Sequence, residues 1–191
     1  MNGIFAVIVG GSWLIFAVVW LALAINVKQA RKTESAASRV AHLLPLGLAF
    51  VILFDPLPAP QLLMNRHFMP QLQLVQAFGA CLTAAGVAFA IWARVTLGRN
   101  WSASVMQKTG HELIVSGPFR IVRHPIYTGM LSGMLGPALV MGQWRCLFAV
   151  ALAFATLWRK YRLEERFMVE LFGEQYSAYQ QHVPALIPLV A

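Results

Sequence analysis

Between residues 111 and 129 the chain reads His111-Glu112-Leu113-Ile114-Val115-Ser116-Gly117-Pro118-Phe119-Arg120-Ile121-Val122-Arg123-His124-Pro125-Ile126-Tyr127-Thr128-Gly129. Two of the five histidines fall in this stretch. Four of the seven acidic residues follow as Glu164, Glu165, Glu170 and Glu174. Polar groups gathered in an otherwise apolar chain point to a functional site. Gly117-Pro118 marks a turn. Pro125 suits the first turn of a helix, where its missing N–H costs nothing. Arg123 and His124 then stand at that helix's N-terminus, a place that favours anions. Arg162-Leu163-Glu164-Glu165 forms a second cluster. On a helix Arg162 and Glu165 share a face, and Glu164 points elsewhere. Together these residues suit the binding of a polar cofactor. No metal is expected. His111-Glu112 lacks the second histidine of a zinc-protease motif, and Cys81 and Cys146 have no metal-type spacing. Plainer readings stand beside these. The two glutamates also fit a solvated helix face, and Arg162 fits an interfacial anchor.

The elements that must position these residues are membrane helices. Of 191 residues, 59% are hydrophobic and 12% charged, about half the charge of a soluble domain. Mean hydropathy is +0.64. Residues 3–25 are uncharged and long enough to cross the roughly 30 Å hydrocarbon layer. A second run, about residues 40–54, contains Pro45 and ends in Asp55-Pro56-Leu57-Pro58-Ala59-Pro60, a helix stop. A third, residues 72–95, carries Gly79 and Gly86, which suit close helix contact. The apolar stretch 127–158 is too long for one span and is broken at Gly142-Gln143-Trp144-Arg145, so it predicts a helical hairpin. Each arm is about 15 residues, or about 22 Å, short for a crossing. The expected fold is therefore all-α and polytopic. It has about five transmembrane helices, the last two forming a hairpin, and a cytoplasmic loop and C-terminal helices form the pocket. Residues 1–96 make the N-terminal spans and 97–191 the chemically active region. The first three spans are expected to hold no buried charge, which disfavours a transport pathway.

The net charge is +8, but the basic residues flank apolar runs instead of forming one stripe, which argues against nucleic acid. Alternating the loops places thirteen of the fifteen Lys and Arg on one side and only Arg66 and Arg145 on the other. The positive-inside rule then puts the N-terminus outside and the C-terminus and site in the cytoplasm.

The run from His111-Glu112-Leu113 through Gly117-Pro118-Phe119 to Arg123-His124-Pro125-Ile126-Tyr127-Thr128-Gly129 is followed by Glu164-Glu165, Phe172-Gly173-Glu174-Gln175-Tyr176, Tyr179 and Val183-Pro184. This ordered set, with Leu97-Gly98-Arg99-Asn100-Trp101-Ser102 upstream, resembles the isoprenylcysteine carboxyl methyltransferase family. The resemblance covers about half the chain and implies S-adenosylmethionine as methyl donor. It also implies a lipophilic acceptor entering from the bilayer, contact with membrane lipids, and a prokaryotic-type member of an inner membrane. Under it, Arg123, His124 and the helix N-terminus would take the donor's carboxylate. Glu112, Glu164 or Glu165 would take its ammonium or ribose. Leu113, Val115, Pro118, Phe119 and Tyr127 would enclose its adenine, with His111, Gly117, Pro125 and Gly129 completing the loop. Arg162 would hold an acceptor carboxylate, while an amine or thiol acceptor would call on Glu165 as base. Phospholipid-amine and thiol methylation, and a non-catalytic membrane module, remain the alternatives.

Overall fold

The computed structural model describes residues 3–24, 30–33, 35–54, 66–98, 106–108 and 113–188. Its helices are α1 (Gly3–Ala24), α2 (Ala36–Phe54), α3 (Gln73–Leu97), α4 (Pro125–Met141), α5 (Trp144–Phe172) and α6 (Glu174–His182). Two short strands, β1 (Ala30–Thr33) and β2 (Met106–Lys108), pair antiparallel, and a 3-10 turn spans Gly117–Arg120. The body is helical, as its apolar runs predict; the strand pair is an addition that four- and three-residue segments do not announce.

Among the described residues three helices, α1, α2 and α3, are long and apolar enough to cross a membrane. On α1 the residues Ile4, Val7, Leu14 and Leu21 are exposed. Such a surface faces lipid, where helices satisfy their own backbone groups. The expected hairpin is present. Its first arm, α4, has 17 residues, about 25 Å. The second arm, α5, continues past Trp158 through Arg162–Glu165. It runs on as one 29-residue helix, about 43 Å long, so its charged second half projects beyond the apolar part. Gly142 makes the corner in the left-handed conformation. A Cβ there would collide with the Gln71 side chain.

Side chains sew the helix ends together. At one end Arg145 Nη1 donates to the carbonyls of Ile52 (2.6 Å) and Leu53 (3.1 Å), closing the last turn of α2. The segment before α3 is laced to the hairpin tip through Phe68 N to Gly142 O (2.8 Å) and Trp144 N to Arg66 O (3.2 Å). At the other end Arg94 Nη2 donates to Leu23 O (2.5 Å) and Nη1 to Gly98 O (2.9 Å). Arg94 is 1% exposed. This corrects the expectation that the first three spans bury no charge. The guanidinium is stable there because it meets carbonyls at the C-terminal ends of α1 and α3, which carry partial negative charge.

The α3–α4 seam sets the position of the site. A Cβ on Gly86 would lie 2.6 Å from Gly133 N, and one on Gly129 would lie 2.5 Å from Gly86 O and 2.7 Å from Ala90 N. Only hydrogen at these positions lets the two backbones approach so closely. The start of α4 is thereby fixed against the end of α3, where Phe119 and Ile126 pack on Ala93.

Candidate active site

The loop before α4 and the charged half of α5 converge on His124. Its Nε2 lies 3.3 Å from Glu165 Oε1, and its Nδ1 lies 3.6 Å from Glu164 Oε2. The imidazole stacks on Tyr127, with centroids 5.5 Å apart and planes 2° from parallel, and Tyr161 tilts against it at 5.2 Å. Tyr127 OH donates to Glu164 Oε1 at 2.6 Å. Lys160 Nζ is 4.0 Å from the same oxygen and 5.7 Å from the Tyr127 ring centroid. Helical geometry explains Tyr161 and Glu165: they lie four apart on α5, and both are buried toward His124.

Arg123 organises the other side. Its Nε donates to Glu165 Oε1 at 2.8 Å, and its Nη2 lies 2.7 Å from the same oxygen. Nη1 donates to the carbonyls of Gln180 (3.0 Å) and Val183. The backbone N–H groups of Arg123 and His124 donate to Pro184 O (2.8 Å) and Ala185 O (3.0 Å), and Thr128 Oγ1 donates to Leu186 O (2.6 Å). Tyr179 OH donates to Phe119 O at 2.5 Å. Burial by itself would raise the Glu165 carboxyl, but His124 and Arg123 outweigh it and hold it below the usual carboxylate range. Burial pushes the Tyr179 hydroxyl up to about 12, with Arg123 opposing and Glu165 assisting. It therefore stays protonated and donating at neutral pH.

Several expectations change on contact with this geometry. Glu164 does not point away: His124 and Tyr127 reach between the two glutamates, so both carboxylates join one cluster. Just before α4, the Arg123 and His124 N–H groups hold the carbonyls of Pro184 and Ala185 in the C-terminal segment. Pro118, Phe119, Pro125 and Gly129 are buried, and the aromatic ring of Phe119 lies in the core beside Ala93. They shape the loop from behind. Gly117 has φ +59° and turns the chain under Thr96. Leu113 is half-buried and Val115 exposed. His111 and Glu112 lie outside the described residues. Arg162 stands over the Trp158 ring, 5.5 Å from its centroid. With Glu165, Arg166, Val169, Glu170 and Gln180 it lines an open groove of about 400 Å³.

Sequence reasoning missed Tyr161, Lys160, Thr128 and the segment 183–186 as parts of the site. Tyr161 and Lys160 carry a signal in their helical spacing to Glu164 and Glu165. The segment 183–186 acts through backbone carbonyls, and its only signal is Val183-Pro184 in the run that carries the family resemblance.

A family model for phospholipid methyltransferases matches residues 74–175, which takes in α3, the loop, the hairpin and the glutamate pair. The chain belongs to the phospholipid methyltransferase family. Within that family's wider relations it is 30% identical over 155 residues to protein-S-isoprenylcysteine O-methyltransferase of Schizosaccharomyces pombe, covering 78% of this chain and 62% of that one. It is 30% identical over 123 residues to protein-S-isoprenylcysteine O-methyltransferase B of Arabidopsis thaliana, covering 61% and 60%. It is 34% identical over 95 residues to the cobalt-zinc-cadmium resistance protein CzcN of Cupriavidus metallidurans, covering 49% and 44%. The chain thus spans about 60% of the length of these two isoprenylcysteine methyltransferases. The solved eukaryotic intramembrane Ras methyltransferase, isoprenylcysteine carboxyl methyltransferase, shares its fold: the TM-score is 0.54 at 24% identity, covering 84% of this chain and 55% of that one.

Proposed function

We propose that this chain is an integral membrane methyltransferase that transfers a methyl group from S-adenosylmethionine to a lipophilic acceptor reaching the site from the bilayer. The observation that carries the reading is the His124 cluster, where Glu164, Glu165 and the Tyr127 hydroxyl gather at the base of a membrane hairpin. The residues present fit such a donor. Glu164 offers a partly exposed carboxylate for an ammonium or ribose hydroxyl, held in place by the Tyr127 hydroxyl. Leu113, Val115 and Gly117 belong to the loop that leads into this cluster, with His111 and Glu112 just upstream in sequence. When bound, the donor supplies an electrophilic methyl on a positively charged sulfur, which departs as a neutral thioether as the acceptor's lone pair takes the methyl.

The protein's part is alignment and exclusion of water. Holding donor and acceptor in line can supply much of the acceleration. A carboxylate acceptor is favoured over an amine or thiol. A carboxylate needs no base, whereas an amine or thiol must lose a proton. Glu165 is a poor base, because its carboxyl is held low and occupied by Arg123 and His124. Arg162, at the lip of the groove, is the cation placed to meet such a carboxylate. Alternation of the loops in sequence puts thirteen of the fifteen Lys and Arg on the site's side, so on the positive-inside rule the site faces the cytoplasm and the N-terminus lies outside. Calorimetry on the purified protein tests the cofactor: the donor or its demethylated product binds, and Glu164→Gln weakens binding about tenfold or more, the loss of one charge-assisted contact. Absence of binding by a folded wild type contradicts the reading.

A further inference from the structure

We infer that Arg123 is a positioning residue, latching the C-terminal segment Gln180–Leu186 to α5 so that Glu164 and Tyr127 are presented to the cofactor. An arginine has five N–H donors. Three are committed within the chain, Nε to Glu165 and two on Nη1 to the Gln180 and Val183 carbonyls, and Nη2 lies in ion-pair contact with Glu165 at 2.7 Å. The Arg123 and Glu165 side chains are each 11% exposed, so water competes weakly for the pair. The latch continues along the backbone. Arg123 N and His124 N hold Pro184 O and Ala185 O, and Thr128 Oγ1 holds Leu186 O. Tyr179 ties the preceding helix to Phe119 O. Three separate elements, the start of α4, the charged half of α5 and the end of α6 with the residue after it, therefore meet on one guanidinium.

This arrangement explains the division between the two glutamates. Glu165 is turned inward to Arg123 and His124. Its neighbour Glu164, on the more exposed side, is held by Tyr127 and Lys160. The latch fixes the first so that the second is left facing the approach. A planar guanidinium suits this three-way junction and an ammonium does not, because lysine is a point donor that cannot bridge a carboxylate and two carbonyls in one plane.

The part of this inference that concerns the cofactor rests on the methyltransferase reading; the latch itself does not. Both are tested on the full chain in lipid nanodiscs. Hydrogen exchange is followed in peptides covering 120–128 and 179–188 for wild type, Arg123→Lys, Glu165→Gln and an Arg159→Ala control. The latch predicts at least tenfold faster exchange of the Arg123 and His124 amides in the first two variants and wild-type rates in the control. Unchanged exchange in both Arg123→Lys and Glu165→Gln overturns it. Dissociation constants are then measured for S-adenosylmethionine and for its decarboxylated analogue. A positioning role predicts that Arg123→Lys weakens both by the same factor, and that adding Glu165→Gln weakens them little further, since coupled residues are non-additive. Weakening confined to the carboxylate-bearing donor makes Arg123 a direct ligand and overturns the assignment. A folded wild type that binds neither compound removes the methyltransferase reading, while the exchange result still decides the latch.

Discussion

Arg123 and Glu165, 42 positions apart in sequence, meet at 2.7 Å between guanidinium and carboxylate, and His124 approaches the same carboxylate oxygen at 3.3 Å. One oxygen thus joins the loop before the hairpin to the charged half of its second arm.

The pair makes acid stability depend on Glu165. Its carboxyl titrates below its ordinary value of 4.5 in the folded protein. The unfolded chain therefore binds the proton first, and the stabilisation is complete above that ordinary value. It is lost as pH falls through the lowered folded value. Thermal midpoints measured from pH 7 down to pH 3 should show this decline in wild type and a flatter profile in Glu165→Gln.

Tyr127→Phe removes the 2.6 Å hydrogen bond to Glu164 and keeps the ring stacked on His124. A hydrogen bond to a charged group contributes about 1.5–3 kcal/mol. On the proposed function, the KM for the methyl donor should rise about tenfold or more with kcat less affected, as steady-state kinetics would show.

The α3–α4 seam should be intolerant of bulk. A Cβ on Gly129 meets the backbone of α3, whereas one on Gly10 or Gly47 meets nothing within 4 Å. Overpacking typically costs about 1–3 kcal/mol, and a backbone obstacle cannot turn aside. Gly129→Val should lower the yield of monodisperse protein in size-exclusion chromatography, and Gly47→Ala should leave it unchanged.

Arg145 closes α2 at the far end of the bundle. Arg145→Met keeps much of the side-chain volume but leaves the Ile52 and Leu53 carbonyls without that donor. A destabilisation of about 2 kcal/mol is expected, read as a lower thermal midpoint with donor affinity retained.

Much of the fold was legible in sequence because lipid-facing helices write themselves as long uncharged runs, and Gly142-Gln143 breaks the hairpin where the chain turns. The site was legible in part. His124, Tyr127, Glu164 and Glu165 stand out because polar residues are rare in this chain. Their partners were harder to read. Helical spacing separates Glu164 from Glu165, but an imidazole with a nitrogen near each carboxylate reunites them. Arg94 sits inside an apolar helix and reads as a span-end charge, yet its role depends on carbonyls at the end of α1, 71 positions away. The latch over residues 183–186 uses main-chain oxygens, which every residue has, so Val183-Pro184 reads as part of a family pattern without disclosing what it holds.

The most direct test of the central claim is methyl transfer itself. The purified protein is incubated in bilayers of native membrane lipid with S-adenosylmethionine carrying a labelled methyl group, beside Glu164→Gln. The account predicts label in an organic-extractable product that depends on the wild-type protein, falls sharply in the variant, and is released by mild base as expected of a carboxyl ester. Wild-type protein that binds the donor yet leaves every lipid-soluble fraction unlabelled would contradict it.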